Sequence, residues 1–203
     1  GFELFQHGGQ VPEGLPAQLL QKTSHPRLTL LPASTALATL ERQTPGKSGL
    51  GLVLSKSLAQ LWNDFDHVLI DSPPLLGVLM VNALAACQQL VVPVQTEFLA
   101  VQGLERMVHT LNMINRSRRQ ALPYLIVPTL FDRRSQASLT TLKLLRDRHK
   151  EHIWPAYIPT DGRLRDASRA GTVPSQFDPG CRGVIAYRAL LKSLLARHPG
   201  QAA

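Results

Sequence analysis

The sequence predicts an α/β fold: a doubly wound, mostly parallel sheet with helices on both faces. Three observations carry this. Hydrophobic residues make up 44% of the 203-residue chain while aromatics are only 5%, so Leu, Val, Ile and Ala supply the core. Short, continuous apolar runs such as VLI, LVVPV and YLIV suit strands buried on both faces. Between them lie longer stretches with helical spacing, and strands alternating with helices imply parallel strands joined by right-handed crossovers.

The elements follow in order. Pro12 and Pro16 bracket loops around a short helix over 15–22, and 27–31 reads as a short strand stopped by Pro32. Ser34 is placed to cap a helix reaching about Gln43. Leu50, Val53, Leu54, Leu58 and Leu61 recur with helical spacing. Residues 67–70 form an apolar strand ended by Asp71, Ser72, Pro73 and Pro74, and a helix spans 75–87. A second strand covers 90–94. A long helix follows, with Leu104, Met107, Val108, Leu111 and Ile114 on one face. Then come a strand at 124–127, a helix at 135–149 with Leu139, Leu142 and Leu145 inward, and a short strand at 153–158 ending at Pro159. A helix over 161–170 closes at Gly171. A last helix opens near Asp178 and carries the stripe Tyr187, Leu190, Leu191, Leu194 and Leu195. The expected organisation is a single domain over 1–203, with 1–25 peripheral, 26–197 as core and 198–203 as a tail.

The net charge is +8 and the pI about 10.1, a balance that favours nucleic acid or an anionic membrane surface as partner and equally describes a solvated basic face. Cys87 and Cys181 belong to no metal-spaced cluster, so a reduced, cytoplasmic setting is expected. His149 and His152 share an H-x-x-H spacing without a third ligand nearby, and no metal is assigned to them. No apolar run is long enough for a bilayer, and no signal peptide is expected. The basic, amphipathic last helix suits core packing better than a stable membrane anchor.

Ligands of parallel α/β sheets gather at the carboxyl ends of strands. The richest such end is HVLIDSPP, where four apolar residues would bury a strand and Asp71 would emerge at its tip. A carboxylate there can hold Mg²⁺, directly or through water. Pro73 and Pro74 would stiffen the loop behind it and offer no backbone donors.

The stretch FDHVLIDSPPLLGVLMVNALAACQQLVVPVQTEFLAVQGLERMVHTL resembles the central part of ParA/Soj/MinD-type partitioning ATPases, P-loop NTPases of the deviant Walker A type. PTLFDRR resembles their next strand and loop, and IPTDGRLRDASRAGTVPSQFDPGCRG their closing run. Within the family the chain looks most like the ParA-like proteins that position chemotaxis clusters in bacteria. The resemblance implies ATP and Mg²⁺ as cofactors of the intact protein. Asp71 would be the catalytic switch carboxylate near Mg²⁺ and the attacking water, with Pro73 and Pro74 shaping that switch. Gln95 and Glu97 would lie near the nucleotide and the dimer interface. The loops 128–132 and 158–161, with Thr129 and Pro159, would flank the adenine. Each has a plainer reading beside it: Glu97 favours a helix start, and Pro159 ends a strand.

One departure stands out. Family members open with a strand and the loop K-G-G-x-G-K-T, and neither occurs in this sequence. Gly46, Lys47 and Ser48 imitate its end, but Glu41 stands where the first glycine is required. The fold is therefore expected to be incomplete at its N-terminus, with the neighbours of the missing central strand left unpaired. Without amides around the phosphates the chain should bind ATP weakly or not at all, and be inactive alone.

The resemblance also implies an ATP-bound homodimer, a stimulating partner protein and sequence-independent DNA binding. Arg133, Arg134, Arg163, Arg165 and Arg169 are the candidates for phosphate contacts; the alternative is that they pair with Asp132, Asp161 and Asp166. Arg116, Arg118 and Arg119 follow a helix and suit its C-terminal dipole. The expected function is that of a fragment of an ATPase that positions or partitions cargo: a plasmid, a chromosome or chemotaxis protein clusters. A non-catalytic scaffold of the same fold is the alternative, and so is a related bacterial tyrosine kinase, although the chain has only three tyrosines.

Overall fold

The structure, a computed structural model, describes residues 1–43, 49–73 and 77–197. It divides into two compact units, Gly1–Gln88 and Gln89–Ala203.

The first unit opens with a 3-10 turn, Phe2–Phe5, then helix α1 (Leu15–Gln18). Strands β1 (Gln21–Lys22) and β2 (Thr29–Leu30) follow, with helix α2 at Ala36–Gln43. After a 3-10 turn at Leu50–Leu52 come α3 (Val53–Gln60) and α4 (Val78–Ala86). Leu4, Leu50 and Val53 form the core, with Phe5, Val11, Leu15, Leu19, Leu31 and Val78 packed around them. Leu4, in the opening segment, is only 1% exposed. Gln60 pins this segment to α3: its Oε1 accepts from the Gly14 amide at 3.0 Å, and its Nε2 donates to the Val11 carbonyl at 3.2 Å. At Gly9 (φ 88°) an added Cβ would overlap the Gly49 carbonyl oxygen, so the close crossing of these two loops requires glycine.

Two strands differ from expectation here. The 27–31 strand shrinks to β2 and pairs antiparallel with β1, where the alternation had implied a parallel partner. Residues 67–70 form no strand: Val68 is 50% exposed and Leu69 96%. A strand buried on both faces needs a neighbour on each edge, and no described strand pairs with this run.

Asn82 holds the helices of the first unit together. It is buried; its Nδ2 donates to the carbonyls of Leu50 (2.6 Å) and Val78 (2.8 Å), and its Oδ1 accepts from the Leu54 amide (3.0 Å).

The second unit begins with β3 (Leu90–Gln95), followed by α5 (Phe98–Ser117), β4 (Tyr124–Thr129) and α6 (Gln136–Arg148). Three helices close it: α7 (Gly162–Arg169), α8 (Pro174–Phe177) and α9 (Arg182–Ala196). β3 and β4 are parallel, in register from Leu90 opposite Tyr124 to Gln95 opposite Thr129. β4 is buried from Tyr124 to Pro128. Leu125 and Val127 pack with Trp154, Ile158 and Leu190, with Ala186 and Leu194 of α9 beside them. Burying each such aliphatic side chain contributes about 1.5–3 kcal/mol. On β3, Val92 and Val94 are more buried than Val91, Pro93 and Gln95, and α5 lies against this strand. Side chains alternate between faces, and the side of β3 that carries Val91, Pro93 and Gln95 is exposed.

The expected strand at 153–158 is present only as two isolated parallel bridges, Ile126 to Ile153 and Phe131 to Pro159. Pro128 has no N–H to give to this edge, and only its carbonyl is paired there, accepting from the Ile158 amide at 2.8 Å. The stripe on α9 also divides. Leu190 and Leu194 pack inward, whereas Tyr187, Leu191 and Leu195 are about half exposed.

One edge of β3 pairs with no strand among the described residues. The Leu90 amide donates to Pro123 and the Thr96 amide to Thr129, so the even positions aim their backbone at β4. Val91, Pro93 and Gln95 aim theirs the other way, where no described strand pairs. Proline at the centre of that edge removes one of its donors.

Replacing Asn82 with Ala leaves the Leu54 amide and the Leu50 and Val78 carbonyls without their side-chain partner. The substitution should cost about 2–3 kcal/mol, read as a lowered midpoint in urea at unchanged slope.

Candidate functional site

The chemistry-bearing residues of the second unit collect where β3 and β4 end. Gln95 and Thr129 are the last residues of their strands and face each other in register. Glu97 is the N-cap residue of α5; its carboxylate is exposed and makes no cap hydrogen bond. An acid there still complements the positive end of the helix dipole, in line with its plainer reading.

The loop after β4 is stitched to the loop that ends at Pro159. The Phe131 amide donates to the Ile158 carbonyl at 3.1 Å, and the Thr160 amide to the Phe131 carbonyl at 3.0 Å. Thr160 Oγ1 donates to the Leu130 carbonyl at 2.9 Å. Leu130 has φ 51°, the one non-glycine residue with positive φ among the described residues, and this turn swings Phe131 over to Pro159. The ring of Phe131 rests on Tyr157 at 4.2 Å between centroids.

Asp161 caps two helices at once. Its Oδ1 accepts from the Arg163 amide at 3.0 Å at the start of α7, and its Oδ2 from the Gly183 amide at 2.8 Å at the start of α9. The Gly183 amide is the main cause of a lowered carboxyl pKa; the Arg163 amide, the Cys181 thiol and the Arg182 charge add to it against the effect of burial. Arg182 donates to the Thr160 carbonyl at 3.3 Å. A Cβ at Gly183 would press on Leu164, so glycine lets α9 approach α7.

Beside this rim opens a groove of about 680 Å³. Phe131, Trp154, Tyr157, Pro159, Ile185 and Ala186 line it, together with the charged side chains of Asp132, Arg133, Arg134 and Arg182. Aromatic and aliphatic walls next to guanidinium groups suit a flat ring carrying an anionic group.

The arginines divide. Arg134 makes a two-pronged pair with Asp132, Nε to Oδ1 at 3.1 Å and Nη2 to Oδ2 at 2.9 Å. Hydrogen bonds from Arg134, side chain first and then backbone, hold the Asp132 carboxyl down at about 2. Arg163 pairs with Asp178 at 2.9 Å and with Asp166 at 3.5 Å, and stacks over Phe177. Arg133, Arg165 and Arg169 are exposed. Pairing with Asp132 and Asp166 was the expected alternative and holds for Arg134 and Arg163; Asp161 is occupied by backbone amides instead.

Asp71 and Pro73 belong to the first unit and are exposed, with no strand leading up to Asp71. This corrects the expectation of a carboxylate at a strand tip; the 67–70 run lacks the paired neighbours that would make it a strand. Pro74 lies outside the described residues, as does the stretch 44–48 with Gly46, Lys47 and Ser48. Among the described residues no group of three His, Cys, Asp or Glu side chains could hold a metal. His152 stacks on Tyr124 and His149 faces Glu105 at 3.5 Å. Both cysteines are free of disulfides. No described helix is long and apolar enough to cross a membrane.

Asp161 and Arg182 were not singled out in the sequence as site residues. An Asp directly ahead of a helical pattern signals a cap, but nothing local shows that it serves a second helix 22 residues away. Replacing Asp161 with Ala should cost about 1 kcal/mol per helix start, about 2 in all, in thermal or urea unfolding. The folded-state pKa lies below the unfolded one, so the contribution is present at neutral pH. It is lost as pH falls below about 4 and through the depressed folded value, and the two proteins should converge in stability there.

Known proteins share this architecture. A family model described as an AAA domain matches residues 13–124. The chromosome partitioning protein ParA of Caulobacter vibrioides (strain NA1000 / CB15N) is 31% identical over 179 residues, 87% of this chain and 67% of that protein. The sporulation initiation inhibitor protein Soj of Bacillus subtilis (strain 168) is 27% identical over 179 residues, 88% of this chain and 71% of that protein. A crystal structure from Mycobacterium smegmatis, described as cobyrinic acid a,c-diamide synthase with bound ADP and magnesium, superposes with a TM-score of 0.74. It is 32% identical, and the match covers 93% of this chain and 69% of that one. The chain belongs to the ParA/Soj-type partitioning ATPase family.

Proposed function

We propose that the chain is the base-binding and DNA-facing part of an ATPase that partitions or positions cargo. The observation that carries this is the rim joining the loops of Thr129 and Pro159 beside an aromatic groove edged with arginine. In this reading a purine ring lies against those loops, and Gln95 and Glu97 face the nucleotide and the dimer partner. The cargo is a chromosome, a plasmid or a cluster of chemotaxis proteins. The two units are parts of one domain, a view supported by a family match that runs across their boundary.

The described residues fit ATP and Mg²⁺ unevenly. The groove offers apolar surface and guanidinium groups to a base and its sugar, but no glycine-rich amide cradle for the phosphates and no clustered carboxylates for the metal accompany it. When bound, Mg²⁺ would neutralise phosphate charge. The chain's own part is to seat and orient the base. ADP should therefore bind with a Kd of roughly 1 mM, using little beyond the base-side contacts. Hydrogen exchange should slow at 128–134 and 158–161 on saturation; unaltered exchange in both loops at about 10 mM ADP, roughly ten times that Kd, would remove the support for this reading.

DNA binding in this reading uses Arg133, Arg165 and Arg169 directly. Arg134 and Arg163 join them because exposed ion pairs contribute little, so a phosphate can compete for the guanidinium. A mobility-shift titration should show affinity falling steeply with salt and insensitive to sequence. Changing Arg165 to Ala should lower the log–log salt slope by about 1. A slope near zero would count against phosphate contacts.

A further inference from the structure

Two buried hydroxyls lie between the Gln95–Glu97 turn and the Asp132 loop, and the nucleotide reading uses neither. Thr96 is 2% exposed and Ser138 5%. Their oxygens are 2.5 Å apart. Thr96 sits between Gln95 and Glu97, and its amide donates to the Thr129 carbonyl at 3.1 Å. Ser138 lies in the first turn of α6, where its own amide donates to Ser135 Oγ at 3.3 Å. Ser138 Oγ also accepts from the Asp132 amide at 3.2 Å. A hydroxyl carries one proton and two lone pairs, so Ser138 can accept from Asp132 while sharing a proton with Thr96, in either direction. The result is one continuous chain from the turn that bears Glu97, through two side chains, to the backbone of the loop that bears Asp132 and Arg133.

We infer that Thr96 and Ser138 are positioning residues whose shared hydrogen bond fixes the Gln95–Glu97 turn against the Asp132 loop, so that a ligand seated at one loop is registered at the other. Packing alone does not require hydroxyls here, since Val and Ala would fill nearly the same space. Two polar oxygens placed where water does not reach are costly unless bonded, and each is the other's partner. For its bearing on nucleotide binding this inference rests on the proposed function; the bond between the loops does not.

The experiment uses the full 203-residue chain with Thr96→Val, which removes the hydroxyl and keeps the shape, and Thr96→Ser, which restores it. Thr96 makes no hydrogen bond to Asp132, so a local packing role predicts no change there. Positioning predicts that the Asp132 amide exchanges about tenfold faster in the Val variant, and at the original rate in the Ser variant. Unchanged exchange at Asp132, or failure of Ser to restore it, overturns the inference. Should the Val variant not fold, the unsubstituted chain decides: its NMR spectrum must show a slowly exchanging hydroxyl proton with cross-peaks to both Thr96 and Ser138, and absence of that proton is equally fatal.

A second arm adds ADP and follows the Glu97 amide. In the unsubstituted chain ADP should shift both Asp132 and Glu97; in the Val variant it should shift Asp132 alone. If ADP shifts both residues in both proteins, the coupling is refuted while nucleotide binding stands. If ADP shifts nothing in the unsubstituted chain, the nucleotide reading fails, and the exchange rates alone decide the positioning role.

Discussion

The structure of the second unit depends on one constraint: β4 is buried from Tyr124 to Pro128, and a buried backbone must have its N–H and C=O groups paired. β3 satisfies one edge. The other edge is met by two bridges, at Ile153 and at Pro159, and between them by the Ile158 amide, which donates to the carbonyl of Pro128, a residue with no N–H of its own to give. Where the ladder stops, side chains continue it. Thr160 Oγ1 reaches Leu130, Ser138 Oγ takes the Asp132 amide, and the Asp161 carboxylate takes amides from two helices. The groove and its arginines are placed by this rim, since Phe131, Asp132, Pro159 and Thr160 all belong to it.

Electrostatics at the rim follows the same order. A carboxylate whose lone pairs are filled by amides, as at Asp161, is a structural group and stays ionised to low pH. Asp132 is also held ionised, but by a guanidinium in solvent: its partner Arg134 is 87% exposed and can exchange it for another anion. The net charge of +8 is therefore unevenly available. Arg163 is shared among Asp178, Asp166 and the Phe177 ring, which an anion must displace, while Arg133, Arg165 and Arg169 extend into solvent.

Much of this was legible in the sequence, and the failures share a cause. LVVPVQ and YLIVPT could be recognised as parallel strands because continuous apolar runs between long amphipathic helices have few other solutions. HVLI carries the same local signal and is not a strand, since pairing is a property of neighbours and no described strand lies beside it. The helix stripes were right in position and wrong in extent: Leu142 and Leu145 are buried but Leu139 is not, and the stripe on α9 is split. Family resemblance grouped the loops of Thr129 and Pro159, which periodicity could not have done. The hydroxyl pair was beyond reach, because its two members are 42 residues apart and each alone is an ordinary polar residue.

Pro93 has a bearing on how the molecule behaves in a crowd. The outer flank of β3 is apolar enough to attract a passing extended chain, with Val91 partly bared. Yet midway along it the backbone has no hydrogen to offer, so a stranger zipping alongside loses a bond at the centre of a very short run. Growth of fibrils by repeated addition needs an unbroken template, and a single imino acid denies it while leaving the inner ladder to β4 intact.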